Sequence, residues 1–239
     1  MKLTFLGRGA GFYPAEGSTA SFFVDNRELF LIDAGESVFH TLLDRKILDS
    51  VSAVNIFITH THSDHIGSLG SIILYAFAIK KLSVTVITDK NMAFLPGLKQ
   101  VLKIYGLSRK MYRFADSSEF DGKYSLFTRV RYFKTDHCDE LETCGILFET
   151  KQGLVIYSGD MRDPAPLVKL IKSKRKIDKL YVDSSNDRMP KMHHISIHQL
   201  HDIVPAALRA KVHCMHINNS RCVAQAKAYG FNVVTVRKR

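Results

Sequence analysis

Short apolar runs open the chain: "KLTFL" (2–6), "ASFFV" (20–24) and "LFLID" (29–33) are β-type, and a glycine-rich loop separates the first two. Apolar residues then recur at helical spacing from Val38 to Leu48, and "AVNIFIT" (53–59) is the continuous apolar run of a fully buried strand. The pattern next predicts a helix from Ser68 to Lys80, a strand over "SVTVIT" (83–88), and a helical stretch from Asn91 to Tyr105 interrupted by Pro96 and Gly97. The second half repeats this more loosely, with strands at 124–133, 143–149, 153–158, 179–182 and 211–216 and helices at 165–173, 197–209 and 220–229. Ser196 and Asn219 are helix N-caps by type, and Gly230 suits the position just past a helix end. Strands dominate early and alternate with helices later, which predicts an α/β fold of sheets covered by helices.

Composition bounds this picture. A chain of 239 residues, 46% hydrophobic, can bury a substantial core and fits one large domain, 1–239, better than two small ones. The opening "MKLTFLGRGAGF" has too short an apolar stretch for a signal-peptide core, and no later run reaches the roughly 18 apolar residues of a membrane span. A soluble, cytoplasmic protein is expected. Cys138, Cys144, Cys214 and Cys222 form no C-x-x-C pair and read as buried thiols in a reducing compartment. The net charge of +11 and pI near 9.5 favour anionic ligands, phosphate esters or nucleic acid, without choosing between them. The densest cluster, "KSKRK" (172–176), follows an apolar segment and reads as a solvated helix end. In the loop "GRGAGFYPAEGS", Gly7, Gly9 and Gly11 do not give G-x-G-x-x-G and no helical pattern follows, which argues against a dinucleotide cradle.

Chemistry concentrates in "FITHTHSDHIGS" (57–68), where His60, His62, Asp64 and His65 fall within six positions directly after the buried strand. Neutral imidazole suits zinc and carboxylate adds hard oxygen donors. In a tight turn His60 and His62 can face one way and Asp64 and His65 the other, serving two neighbouring metals. Such a site needs more ligands, and His137 in "KTDHCDE", Asp160 in "YSGDMRD" and His216 in "VHCMHIN" each sit just beyond an apolar β-type run. Singly these are a loop histidine, a turn aspartate and a core histidine. Together, at strand ends, they favour the metal reading.

Asp33 in "LIDAGE", the "HTHSDH" motif, His137, Asp160 in "SGD" and His216 together resemble the metallo-β-lactamase superfamily. The resemblance implies a four-layer αββα sandwich with the site along the common edge of its two sheets. It also implies that His60, His62 and His137 bind one divalent ion, that Asp64, His65 and His216 bind the other, and that Asp160 bridges them. Asp33 would orient the motif loop. Zinc is the expected metal and manganese the alternative, and hydrolysis is the default reaction.

Within "DSSNDRMPKMHHISIHQL" (183–200), His194-Ile195-Ser196 resembles the H-x-T/S motif of the RNase Z branch, which implies that His194, paired with Asp183, protonates the leaving alkoxide. The tRNA nucleases of that branch carry an arm between the third histidine and the bridging aspartate. Here His137 and Asp160 are only 23 positions apart and two predicted strands occupy the interval, so large RNA is disfavoured. The opening "FLGRGAGF", the ligand set, the missing arm and "CMHINNSR" are similar to the phage anti-Pycsar proteins, which implies a phosphodiesterase for 3′,5′-cyclic nucleotides and evasion of bacterial immunity. Cyclic CMP and cyclic UMP are the implied substrates, with cAMP and cGMP also fitting. An RNA nuclease and a non-catalytic nucleotide-sequestering protein stay as alternatives. The branch also implies a homodimer. "GLSRKMYRFADSSEF" (106–120) is a candidate lid in which Tyr112 either stacks on a base or packs as a strand residue.

Overall fold

The computed structural model describes residues 1–186 and 193–236. The described strands form two six-stranded sheets. The first runs, in spatial order, β1 (Thr4–Gly7), β2 (Ala20–Asp25), β3 (Glu28–Ile32), β4 (Ala53–Phe57), β5 (Ser83–Thr88) and β6 (Arg113–Asp116). The second comprises β7 (Arg129–Thr135), β8 (Thr143–Thr150), β9 (Gly153–Tyr157), β10 (Ile177–Asp183), β11 (Val212–Met215) and β12 (Asn232–Val233), again as sequential neighbours. In each sheet the first three strands are an antiparallel meander and the third to sixth lie parallel. The two halves thus share one topology without a visible sequence repeat.

Successive residues of a strand face opposite sides, and that alternation sorts the apolar residues into layers. Leu29, Leu31, Val54, Ile56, Val84 and Val86 meet α1 (Val38–Asp44) and α3 (Leu69–Ala78), which follows the single turn α2 (Ser63–Ile66), and α4 (Leu95–Ile104). Leu154, Ile156, Leu180, Val182 and Val212 meet α5 (Ala165–Lys172), α6 (Ile197–Ile203) and, beyond α7 (Ala206–Arg209), α8 (Ser220–Ala228). The inward-facing residues, Phe23, Phe30, Phe57, Phe148, Tyr157 and Tyr181 among them, fill the space between the sheets. Phe23 stacks on Phe30 at 4.9 Å and meets Phe148 edge-on at 5.7 Å. Burying each such ring stabilises the fold by about 2 kcal/mol. The order helix, sheet, sheet, helix is the αββα sandwich that the resemblance implies.

Two expectations need correcting. The helix expected over 197–209 divides after Ile203: Pro205 has no N–H and holds Val204 in an extended conformation, ψ 114°. The strand expected over 124–133 starts only at Arg129, because Ser125 Oγ and Leu126 N donate to the Asp25 carboxylate at 2.8 and 2.7 Å and turn that stretch toward the β2–β3 connection. The candidate lid is in part regular structure: 113–116 is β6, the parallel edge strand of the first sheet, followed by a 3₁₀ turn closed by an Asp116–Glu119 capping box. Its four-residue run "RFAD" is too short and polar to announce a strand. Ser196 and Asn219 do cap α6 and α8, and Gly230 has φ 81° after α8. No helix of the described residues is long and apolar enough to cross a membrane.

Candidate metal centre

The histidines and carboxylates singled out in the sequence lie just past the C-terminal ends of strands from both sheets, where an α/β sheet exposes its connecting loops. Asp33 follows β3, His60 to His65 follow β4, His137 follows β7, Asp160 follows β9, Asp183 ends β10 and His216 follows β11. Three of these exits turn through left-handed backbone: Asp33 at φ 62°, Gly159 at φ 59° and His216 at φ 51°. Such a conformation costs a non-glycine residue about 1–2 kcal/mol. The turns redirect Asp33 and His216 into the space between the loops.

Asp33 is fully buried and holds the motif from beneath. Its Oδ1 accepts from Thr59 N at 2.9 Å, and its Oδ2 accepts from Thr59 Oγ1 and His65 Nδ1, each at 2.9 Å. Having given its proton to Asp33, Thr59 Oγ1 is left to accept from His60 Nδ1 at 3.1 Å. His137 Nδ1 is tied to the carbonyl oxygen of His193, and His216 Nδ1 lies 3.4 Å from Asp183 Oδ1. In His60, His65 and His137 the nitrogen facing away from the centre is hydrogen-bonded, and in His216 it faces the Asp183 carboxylate, so Nε2 is the one presented inward. This is the usual arrangement of metal-binding histidine.

The inward atoms have the spacing of a coordination shell. His60 Nε2 lies 3.1 Å from His62 Nδ1 and 3.8 Å from Asp160 Oδ2, which is 3.6 Å from His137 Nε2. On the other side His65 Nε2 lies 3.5 Å from Asp64 Oδ2 and 3.4 Å from Asp160 Oδ1. His216 Nε2 is 3.1 Å from Asp64 Oδ2 and 3.4 Å from Asp160 Oδ2. Bonds of about 2.0–2.2 Å in a tetrahedron put donors about 3.3–3.6 Å apart. The groups His60, His62, His137 and Asp64, His65, His216 could each hold an ion, with Asp160 between them. His65 Nε2 is buried with no hydrogen-bond partner among the described residues, an orphan that a cation would satisfy.

The two groups differ electrostatically. Burial pushes the pKa of His60, His62 and His137 below the ordinary histidine value, leaving neutral rings ready to donate lone pairs. Burial is the largest single influence on His65 and His216 and opposes their charge, but the surrounding carboxylates together outweigh it, Asp160 with Asp33 at His65 and Asp160 with Asp183 and Asp64 at His216; His65 is held well above the ordinary value and His216 at about 10. Asp64 and Asp160 are held well below the ordinary carboxylate value by the same histidines, against the opposing effect of burial. Protons and divalent cations therefore compete for the second group.

Beside this cluster, Asp183 Oδ2 accepts from His194 Nδ1 at 2.8 Å and from Met161 N at 3.1 Å. Asp183 is fully buried, whereas His194 keeps 23% of its side chain exposed. Burial opposes charge on His194, and Asp183 followed by Asp160 raises its pKa despite that. His194 opens into a cavity of about 520 Å³ lined also by Phe12, His62, Asp64, His137, His216 and Asn218. Residues 187–192 of the segment that carries His194 lie outside the described residues.

Tyr112 is elsewhere. It is 7% exposed, packs in the apolar cluster under α3 and α4, and meets Phe114 edge-on at 5.5 Å. Within this chain its ring packs among apolar side chains, as the packed alternative has it, and does not line the cavity beside the metal-ligand cluster. Sequence reasoning passed over Thr59 and Arg162. Thr59 stands next to the motif, where its neighbour could have flagged it. Arg162 hydrogen-bonds Asp136 at 2.9 Å and Asp139 at 2.5 Å, gripping the loop on both sides of His137 from the loop that carries Asp160; no local pattern signals that.

A family model described as "Anti-Pycsar protein Apyc1" matches residues 1–238. Among solved structures, the metallo-β-lactamase fold protein YhfI from Bacillus subtilis superimposes with a TM-score of 0.74 at 15% identity, covering 99% of this chain and 95% of that one. The short form of human tRNase Z gives 0.65 at 20% identity, covering 92% and 94%. Ribonuclease Z of Lactiplantibacillus plantarum is 44% identical over 73 residues, 29% of this chain and 23% of that protein. The matched stretch spans about a quarter of the length of the curated ribonucleases it resembles. The structural likenesses establish the metallo-β-lactamase fold, and the His/Asp cluster has the donors and spacing to hold metal ions. On the match over residues 1–238, the chain belongs to the family described as Anti-Pycsar protein Apyc1.

Proposed function

We propose that this protein is a phosphodiesterase that opens 3′,5′-cyclic nucleotides to 5′-monophosphates, with cCMP and cUMP foremost and cAMP and cGMP also accommodated, and that it thereby blunts a bacterial cyclic-nucleotide immune signal. The observation that carries the reading is the His194–Asp183 pair, 2.8 Å apart and opening into the same cavity as the metal-ligand cluster of an anti-Pycsar family chain. His60, His62 and His137 would hold one ion and Asp64, His65 and His216 the other, with Asp160 shared; zinc suits the histidine-rich donors and manganese the carboxylates. When bound, the ions supply a water of lowered pKa and neutralise charge on the phosphoryl oxygens.

The protein's own residues do the rest. Asp183 orients the His194 ring and favours its protonated form, so that the ring nitrogen not bound to Asp183 can donate. A water oxygen bonds to phosphorus, the P–O3′ bond breaks, His194 delivers its proton to O3′, and the proton lost by the water reaches solvent. Asp33 and Thr59 keep His60 and His65 aimed inward throughout.

RNA cleavage is a second reading, favoured by the local likeness to ribonuclease Z. The interval between His137 and Asp160 weighs against it, since β8, β9 and their tight turn take up most of it and leave no long arm to grip a large RNA. The complete donor set weighs against a nucleotide-sequestering protein without catalysis. The homodimer implied by the resemblance is part of this reading, and light scattering in solution tests it. Incubating the protein with cCMP, cUMP, cAMP, cGMP and a pre-tRNA, with and without EDTA, separates the three. EDTA-sensitive release of 5′-monophosphates supports the phosphodiesterase; cleavage of the pre-tRNA alone transfers the assignment to RNA processing; binding without conversion leaves the sequestering protein.

A further inference from the structure

The glycine-rich loop after β1 has no part in the mechanism above, yet it forms a wall of the cavity. Ala10, Gly11 and Phe12 line it together with His194, Asp64 and His216. Phe12 is fully exposed, at 105% relative accessibility, where the next most exposed large apolar side chain among the described residues, Ile104, stands at 71%. The cavity lining therefore combines the metal-ligand side chains, His194 and a bare aromatic ring.

The loop holds that ring out through fixed backbone contacts. Gly9 N donates to Gly17 O at 2.8 Å, Ala10 N to Ile217 O at 3.0 Å, and Ile217 N back to Arg8 O at 2.8 Å, which joins the loop to the residue after His216. Tyr13 N closes a turn onto Ala10 O at 2.8 Å, and Arg8 grips Glu16 through two bonds of 2.8 and 3.2 Å. Gly11 passes so close to the Asp64 carboxylate that a Cβ there would sit 3.1 Å from Asp64 Oδ2. The turn that carries Phe12 is thus registered directly against the metal-ligand cluster.

We infer that Phe12 is the platform on which the nucleobase of the substrate stacks while the cyclic phosphate lies over the metal-ligand cluster. This rests on the cyclic-nucleotide reading above and deepens it. A ring that presents only a π-face accepts any base, which accounts for recognition of several cyclic nucleotides by a site whose ligands read none. Phe12 is a specificity residue for nucleosides over base-free phosphates, not a participant in bond breaking.

Two readouts test it. Kinetically, Phe12→Ala should raise KM for cAMP and cCMP about tenfold with little change in kcat, and should leave hydrolysis of base-free 1-deoxyribose 3′,5′-cyclic phosphate as in the wild type. The chain contains no tryptophan, so Phe12→Trp installs a single tryptophan, which excitation at the red edge of its absorption separates from the tyrosines. Its emission should be quenched by 5′-AMP and 5′-CMP but not by ribose 5-phosphate, a measurement independent of turnover. An unchanged KM in Phe12→Ala, equal losses on nucleotide and base-free substrate, or quenching that ignores the base would each overturn the platform. If the wild type converts no cyclic nucleotide, the functional reading itself fails and the platform with it. If the wild type converts them and Phe12→Ala matches it, only the platform fails.

Discussion

Asp33 Oδ2 accepts a hydrogen bond from His65 Nδ1 at 2.9 Å, across 32 positions of sequence and with both side chains buried. The bond sets which nitrogen of His65 faces the metal-ligand cluster. Asp33→Asn is the informative change, since asparagine tolerates the left-handed backbone of this position while weakening the acceptor. Affinity for the ion at the Asp64, His65, His216 group should fall about 10–100-fold. Competition with a chromophoric chelator reads this, and undiminished affinity would show that Asp33 serves the fold alone.

His194 is assigned to protonating a poor leaving group, and leaving-group quality tests that. His194→Ala should keep its metal content and lose about 10²–10⁴-fold in kcat on a cyclic nucleotide. On bis-p-nitrophenyl phosphate, whose nitrophenolate departs without a proton, the loss should be much smaller. Equal losses on both substrates would assign His194 to binding instead. His62→Ala, which removes an inward-facing donor, should abolish turnover of both.

Gly35 passes directly beneath the motif. A Cβ there would lie 1.9 Å from the carbonyl oxygen of Asp64 and 2.5 Å from Ser18 Cβ, neither of which is the end of a flexible side chain. Gly35→Ala should lower stability by about 3 kcal/mol or more and displace Asp64, so thermal unfolding and metal content should fall together. A wild-type melting temperature would contradict the close approach.

Removing the metal should cost stability as well as activity. Stripped of cations, Asp64 and Asp160 are balanced chiefly by protons on His65 and His216. Reloading must displace those protons, so metal uptake near neutral pH should acidify a weakly buffered solution by about two protons per protein and raise the melting temperature. An indicator dye and calorimetry measure both. Metal uptake without proton release would contradict the charge state assigned to this group.

Arg162 ties the His137 loop to the Asp160 loop through Asp136 and Asp139. The pair to Asp139 is largely exposed and contributes little to global stability. Arg162→Ala should therefore barely move the melting temperature yet accelerate metal loss to EDTA, because His137 is no longer held in register. Unchanged chelation kinetics would restrict Arg162 to the surface.

Local pattern carried much of this. The short, β-branched apolar run before "HTHSDH" reads as a buried strand, and a strand that ends in closely spaced donors presents them on its exit loop, so those residues are legible from spacing. The lone candidates His137, Asp160 and His216 became convincing through their places at strand ends. Short or polar strands escaped notice: β6, "RFAD", is broken by charged residues at both ends, and β12 has only two residues, too few for alternation to register. α2 was hidden because its single turn lies inside the ligand motif.

By itself, then, the sequence determined the layer type, the ends at which chemistry sits and the identity of its donors, because periodicity and residue type are properties of neighbours along the chain. Tertiary structure alone decided which ends meet. It joined Asp33 to His65, set His194 on Asp183, clamped His137 through Arg162, sank Tyr112 into the core and left Phe12 bare. Those outcomes depend on sheet order and on competition for buried volume between segments far apart in sequence, and no local pattern encodes them.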